Sequence, residues 1–186
     1  MRFNLPNTLT SIRIIAIPLI VIAFFLPVSW SRPSAGILFA FAGVTDYLDG
    51  YLARRLGQTS PFGAFLDPVA DKLIVATALV LLVQADPKWP LALVAAIIIG
   101  REITVSALRE WMSQVGARSR VSVTFFAKWK TTVQIAGISL MLYRQPVAGI
   151  RVYLIGYVLL LVAAVLTLWS MVDYLRAAWP VMLKEE

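Results

Sequence analysis

Six apolar stretches divide the chain, each long enough or nearly so to cross a hydrocarbon layer of about 30 Å as a helix of roughly 20 residues. They run from Leu9 to Val28, Gly36 to Leu56, Phe62 to Gln84, Trp89 to Met112, Val121 to Tyr143 and Tyr153 to Ala178. No strict alternation of polar and apolar positions interrupts them, so the pattern predicts an all-α chain. The breaks carry turn chemistry: Pro27 with Ser31 to Ser34, Gly57 to Pro61, Asp86-Pro87, Gly116 to Arg120, and Gln145-Pro146. The expected architecture is a polytopic six-transmembrane-helix bundle occupying residues 1–186 as a single domain. Arg2 followed by an apolar run resembles a signal peptide, but Ser31-Arg32-Pro33-Ser34 is a poor cleavage site, and the first run is expected to be retained as a span.

Composition supports a membrane setting: 60% of the 186 residues are hydrophobic, well above the roughly 45–50% of a soluble domain, and the mean hydropathy is +0.80. Basic residues then give orientation. Arg2, Arg13, Arg54, Arg55, Lys72, Arg101, Arg109, Arg118, Arg120, Lys128, Lys130, Arg176 and Lys184 fall toward one side of a six-span topology, and only Arg32, Lys88, Arg144 and Arg151 toward the other. The positive-inside rule therefore places both termini in the cytoplasm. The net charge of +7 is interleaved with apolar runs rather than gathered on a soluble face, which favours anionic headgroups and phosphates over nucleic acid.

The chain has no cysteine and no histidine. Disulfides, thiolate nucleophiles, imidazole bases and soft metal sites are excluded together, leaving carboxylates, hydroxyls, Lys and Arg, and a hard oxygen-ligated cation such as Mg²⁺ or Mn²⁺.

Against this background four aspartates stand out. Asp46-Tyr47-Leu48-Asp49-Gly50-Tyr51-Leu52-Ala53-Arg54 ends the second stretch, and Gly63-Ala64-Phe65-Leu66-Asp67-Pro68-Val69-Ala70-Asp71 opens the third. At about 100° per residue, Asp46, Asp49, Gly50 and Ala53 share one helix face, and Asp67 and Asp71 share another. A carboxylate in a span costs roughly 2.5–3.5 kcal/mol on insertion scales, so four together require compensation. Two divalent cations would provide it, in an arrangement that clamps both oxygens of a phosphoryl displacement. The dipole of a helix start accounts for Asp67 and Asp71 alone, but not for Asp46 and Asp49 near a helix end. Gly50, Ala53 and Gly63 leave room for a nucleotide or phosphate at the backbone, and Arg54 reaches phosphate oxygens, although helix packing and positive-inside topology also use such residues.

The spacing D-x-x-D-G-x-x-A-R, eight residues, G-x-x-x-D-x-x-x-D resembles the signature of the CDP-alcohol phosphotransferase family, matched at Asp46, Asp49, Gly50, Ala53, Arg54, Gly63, Asp67 and Asp71. Asn4 to Thr10 with Arg13, Arg101-Glu102-Ile103 to Arg109-Glu110-Trp111, and Lys128-Trp129-Lys130-Thr131-Thr132 with Gln134 are similar to segments of members that use glycerol 3-phosphate. The resemblance implies a homodimer of six-helix subunits with a cytoplasmic active site. It implies divalent metal, Mg²⁺ or Mn²⁺ and two ions, on Asp46, Asp49, Asp67 and Asp71. It also implies CDP-lipid binding by Asp49, Gly50, Ala53 and Arg54 beside Gly63, with Asp71 as general base. The implied reaction passes a phosphatidyl group from CDP-diacylglycerol to the primary hydroxyl of glycerol 3-phosphate, giving phosphatidylglycerol phosphate and CMP.

The signature leaves the acceptor open, with serine, inositol phosphate and phosphatidylglycerol as alternatives. A phosphate-bearing acceptor needs fixed cationic donors, and Arg109, Arg118, Lys128 and Lys130 are the candidates, in a segment that also holds Arg101 and Arg120. Topology alone explains some of these, Glu102 and Arg109 are spaced to pair with each other, and Lys128 and Lys130 point to different helix faces. A divalent-cation transporter would also use buried aspartates, but gives no reason for the small residues and Arg54 at these spacings.

Overall fold

The computed structural model describes residues 5–56, 61–115 and 125–182, with side chains described for 11–46, 66–115 and 129–182. Six helices follow one another: α1 (Leu5–Phe25), α2 (Ser31–Leu56), α3 (Pro61–Ala85), α4 (Trp89–Gln114), α5 (Phe125–Tyr143) and α6 (Val152–Met182). Among the described residues there is no strand, and the sole extended pairing is an isolated bridge between Val147 and Ile150. The all-α expectation therefore holds.

The boundaries differ from the apolar stretches in an instructive way. α2 starts at Ser31, five residues before the expected Gly36, because Pro33 in a first turn has no N–H to lose and Ser34 Oγ bonds the Ser31 carbonyl. α1 starts at Leu5 and stops at Phe25, short of Pro27. α6 runs on to Met182 with Pro180 in its last turn. Hydrophobicity marks where lipid contact ends, whereas caps and prolines mark where the helix ends.

α4 (26 residues) and α6 (31 residues) are long and apolar enough to cross a membrane. At 1.5 Å per residue they extend about 39 and 46 Å, beyond a hydrocarbon core of about 30 Å. The surface is apolar on α1, α2, α3 and α6 alike: Ile15, Ile22, Ile37, Phe41, Val80, Val165 and Trp169 all face outward. Such a surface suits lipid, where it incurs no hydration cost, and the chain is that of a membrane protein.

The core lies along the shared axis. Ile20 and Phe24 of α1, Phe39 of α2, Leu79 and Leu82 of α3, Ile98 of α4, Ile138 of α5 and Leu160 of α6 form one buried cluster, and Val105, Leu108 and Met112 pack on Tyr174 and Ala178 in a smaller one between α4 and α6. α1 packs on α2 and α3, α2 on α5, α5 on α6, and α6 on α4. α5 and α6 approach each other closely. A methyl group on Gly156 would stand 2.7 Å from the Gly137 carbonyl oxygen and 2.9 Å from Leu140 Cβ, so only hydrogen fits there.

The connections α1–α2, α3–α4 and α5–α6 gather at one end. Gln145 Nε2 donates to the Ser29 carbonyl (2.7 Å), and the Tyr153 hydroxyl donates to Asp86 Oδ2 (2.7 Å). Val147 and Ile150 exchange two backbone bonds across Ala148 and Gly149, whose φ values of 50° and 80° suit a type I′ turn. The Tyr153 hydroxyl first, then Lys88, hold the Asp86 carboxyl below its ordinary range. A carboxylate so depressed contributes stability that is fully present at neutral pH and is lost as pH falls through its folded-state value. Tyr153→Phe is therefore expected to cost about 0.5–1 kcal/mol at neutral pH, read as a melting midpoint lowered by a few degrees. The gap should narrow as pH falls below about 4; an unchanged midpoint at neutral pH would show the bond contributes nothing.

Candidate active site

At the other end α1, α2 and α3 bring together the acidic residues. Arg13, buried on α1, places NH1 2.7 Å from Asp46 Oδ1 of α2, and the same nitrogen donates to Asp71 Oδ1 of α3. Two carboxylates 25 positions apart thus converge on one cation, although α2 and α3 barely touch each other and each packs on α1 instead. α1 inserts between them as the organiser, a role that neither the positive-inside pattern nor the resemblance gave to Arg13. Among the described residues, Asp71 Oδ2 has no protein partner and remains available.

Asp67 lies one turn before Asp71 on α3. It is the seventh residue of the helix and Asp71 the eleventh, so neither sits in the first turn where the helix dipole acts, and the dipole reading of these two aspartates is set aside. Asp49, Gly50, Ala53 and Arg54 fall within α2 and Gly63 within α3, but their side chains lie outside the described residues, as do those of Arg118 and Lys128. Among the described residues no group of three acidic side chains is close enough to ligate one ion. The pair that is described fits a hard cation nonetheless: its oxygens converge on a single positive charge, and the chain offers oxygen donors alone.

A second, basic cluster adjoins the first. Lys72, next along α3 from Asp71 and about 100° around it, turns to α4 and donates to Ser106 Oγ. With Pro68, Arg101, Glu102, Val105 and Arg109 these two residues line a cavity of about 110 Å³. Arg101, buried on α4, donates from NH2 to Ser170 Oγ of α6 (3.2 Å) and pairs through NH1 with Glu102 Oε1 (2.5 Å). Lys130 of α5 is buried and reaches the same Glu102 oxygen at 3.9 Å. Arg109 donates to the Tyr174 hydroxyl (2.8 Å), with its guanidinium 5.1 Å from the centre of that ring.

Of the expected acceptor cations, Arg109 lines the pocket, and Lys130, which is buried, approaches it from behind through Glu102. The spacing-based pairing of Glu102 with Arg109 is replaced by Glu102 with Arg101 and Lys130, because Arg109 is engaged by Tyr174 from α6. Lys72, in the sequence a topology marker alone, and Arg101, a neighbour of the candidate cations, are pocket residues. The signal that could have found them is position: Lys72 is next to Asp71, and Arg101 interrupts an otherwise apolar run from Leu91 to Gly100. Buried polar atoms are left over, since Arg101 Nε and Gln134 Oε1 have no partner among the described residues. Unpaired buried polar atoms mark sites where water or a ligand completes the bonding.

A membrane-protein bundle with convergent aspartates beside a cationic pocket is the setting for chemistry on anionic phosphate esters. The model of the CDP-alcohol phosphatidyltransferase family matches residues 3–169, and the chain belongs to that family. It is 54% identical over 178 residues to the CDP-diacylglycerol–glycerol-3-phosphate 3-phosphatidyltransferase of Pseudomonas fluorescens, covering 95% of this chain and 91% of that protein. The enzymes of the same name from Escherichia coli K12 and Shigella flexneri serotype 5b are each 51% identical over 178 residues, covering 96% of both chains. Members of the family use divalent metal ions.

Proposed function

We propose that the protein is a CDP-diacylglycerol–glycerol-3-phosphate 3-phosphatidyltransferase, supported above all by identity of 51–54% with enzymes of that name along nearly the whole of both chains. The cavity supports the acceptor as well. Its cationic lining includes Lys72, next along α3 from Asp71, so a phosphate-binding pocket and the acidic cluster share one turn of α3. Serine carries no phosphate for these cations.

The primary hydroxyl of glycerol 3-phosphate attacks the lipid-bearing phosphorus of CDP-diacylglycerol. Its proton passes to Asp71 Oδ2, a P–O bond forms, and the P–O bond to CMP breaks. Arg13 holds Asp71 through Oδ1, which orients the other oxygen. Lys130, Arg109, Lys72 and Arg101 bind the acceptor phosphate, joined by Arg118 and Lys128 on the grounds of charge. Asp49, Gly50, Ala53 and Arg54, with Gly63, seat the CDP-lipid. Asp46, Asp49, Asp67 and Asp71 would hold two divalent ions, Mg²⁺ or Mn²⁺, which supply Lewis-acid stabilisation of charge on phosphoryl oxygens. The chain acts as one domain of six spans in the bacterial inner membrane, as a homodimer, with both termini and the site cytoplasmic. The basic-residue asymmetry supports that orientation.

Release of CMP by purified protein given CDP-diacylglycerol and Mg²⁺ tests this reading, with glycerol 3-phosphate, serine, inositol phosphate or no acceptor in parallel. Release that requires glycerol 3-phosphate and stops on chelation is the expected result; release with a different acceptor alone would overturn the specificity. Lys130→Ala is expected to raise the KM for glycerol 3-phosphate about 10- to 100-fold, the worth of a charge-assisted bond, while the KM for the CDP-lipid stays within about twofold. Equal effects on both would remove Lys130 from the acceptor pocket.

A further inference from the structure

We infer that Glu102 recognises the secondary hydroxyl of the acceptor, so that the pocket selects a glycerol phosphate over phosphate esters lacking that group. This rests on the acceptor reading of the cavity given above.

Among the described residues Glu102 is the sole acidic side chain lining the cavity, opposite Lys72, Arg101 and Arg109. A carboxylate repels a phosphate, so its presence in a phosphate pocket needs a reason. Service as counter-ion to Arg101 and Lys130 is one, but both cations address the same oxygen, Oε1, at 2.5 and 3.9 Å. Oε2 has no protein partner among the described residues, and the side chain keeps 30% of its surface. An ionised carboxylate only accepts hydrogen bonds. Oε2 therefore calls for a donor from the ligand.

Glycerol 3-phosphate offers few donors. Its dianionic phosphate has none, and its primary hydroxyl gives its proton to Asp71, which leaves the hydroxyl on the central carbon. The cavity, at about 110 Å³, holds one small polar solute, so the carboxylate and the cations meet the same molecule. Arg101 and Lys130 on Oε1 hold the carboxylate in place, which makes Oε2 a fixed acceptor rather than a mobile one. A site built to bond a hydroxyl discriminates strongly against the analogue without it, because the acceptor is then left unpaired.

The test compares sn-glycerol 3-phosphate with propane-1,3-diol monophosphate, which keeps the attacking hydroxyl and the phosphate but lacks the secondary hydroxyl. Wild-type enzyme is expected to prefer glycerol 3-phosphate by about 10- to 100-fold in kcat/KM, the worth of a hydrogen bond to a charged group. Glu102→Gln should lower kcat/KM for glycerol 3-phosphate about 10-fold more than for the diol phosphate, so that the preference shrinks even if loss of the counter-ion to Arg101 and Lys130 affects both acceptors. Glu102→Asp, which keeps the charge but withdraws it by one methylene, gives the same readout should the glutamine variant fail to fold. Equal losses with both acceptors, or no preference in the wild type, would overturn the inference and leave Glu102 a counter-ion. Wild-type protein inactive with glycerol 3-phosphate would instead overturn the proposed function.

Discussion

Asp71→Asn is expected to lower turnover by about three orders of magnitude or more, while binding of the CDP-lipid stays measurable. General-base contributions are worth 10²–10⁴-fold, and the amide accepts no proton at working pH. The substitution is nearly isosteric and leaves an oxygen for Arg13, so the contact that ties α1 to α3 is kept. Loss of turnover in a folded, lipid-binding variant would then report on proton transfer. Asp46→Asn is the control: it touches the same Arg13 nitrogen at 2.7 Å but is not assigned the proton. Its loss should be partly recovered at raised Mg²⁺, whereas that of Asp71→Asn should not. Retained turnover in Asp71→Asn would end its assignment as base.

The second large effect is structural. Gly156→Leu is expected to abolish the folded protein or its acceptor binding, because the site depends on how closely α5 and α6 approach. A methyl group at Gly156 already meets the Gly137 carbonyl oxygen at 2.7 Å and Met141 Cγ at 2.9 Å. Backbone cannot yield as a flexible side chain does, so Gly156→Ala should cost about 1–3 kcal/mol as overpacking and Leu considerably more. The consequence reaches the chemistry, since α5 carries Lys130 and α6 carries Ser170 and Tyr174, which hold Arg101 and Arg109. Thermal midpoints in detergent should fall in the order glycine, alanine, leucine. In the alanine variant the KM for glycerol 3-phosphate should rise more than that for the CDP-lipid. Full stability in Gly156→Leu would show that the two helices separate without cost.

The acidic half of the site was legible in the sequence because its information is local. Asp46 and Asp49 are three apart and Asp67 and Asp71 four apart, so helical periodicity alone puts each pair on one face of its helix, while α1, packed on both helices, joins Asp46 to Asp71 through Arg13. The all-helical fold was legible for a related reason: apolar stretches between turn signals need internally satisfied backbone wherever they meet lipid. The charge pattern and the absence of His and Cys limited the chemistry to carboxylates and hard cations before any geometry was known.

The tertiary structure decided what depends on separation in sequence. Lys72, Glu102, Arg109 and Lys130 come from three helices, and no periodicity relates them. Their meeting follows from α3 packing on α4, α4 on α6 and α6 on α5 through Gly137 and Gly156. Spacing alone paired Glu102 with Arg109; a tyrosine 65 residues away took the arginine, and a lysine from α5 took part of the glutamate. Arg13 likewise looked like a positive-inside residue until α1 was seen to place it between two aspartates. Local spacing settles which residues share a helix face, because the backbone sets it. Which faces meet is settled by the packing of whole helices, where small residues and buried side chains far apart in the chain decide the outcome.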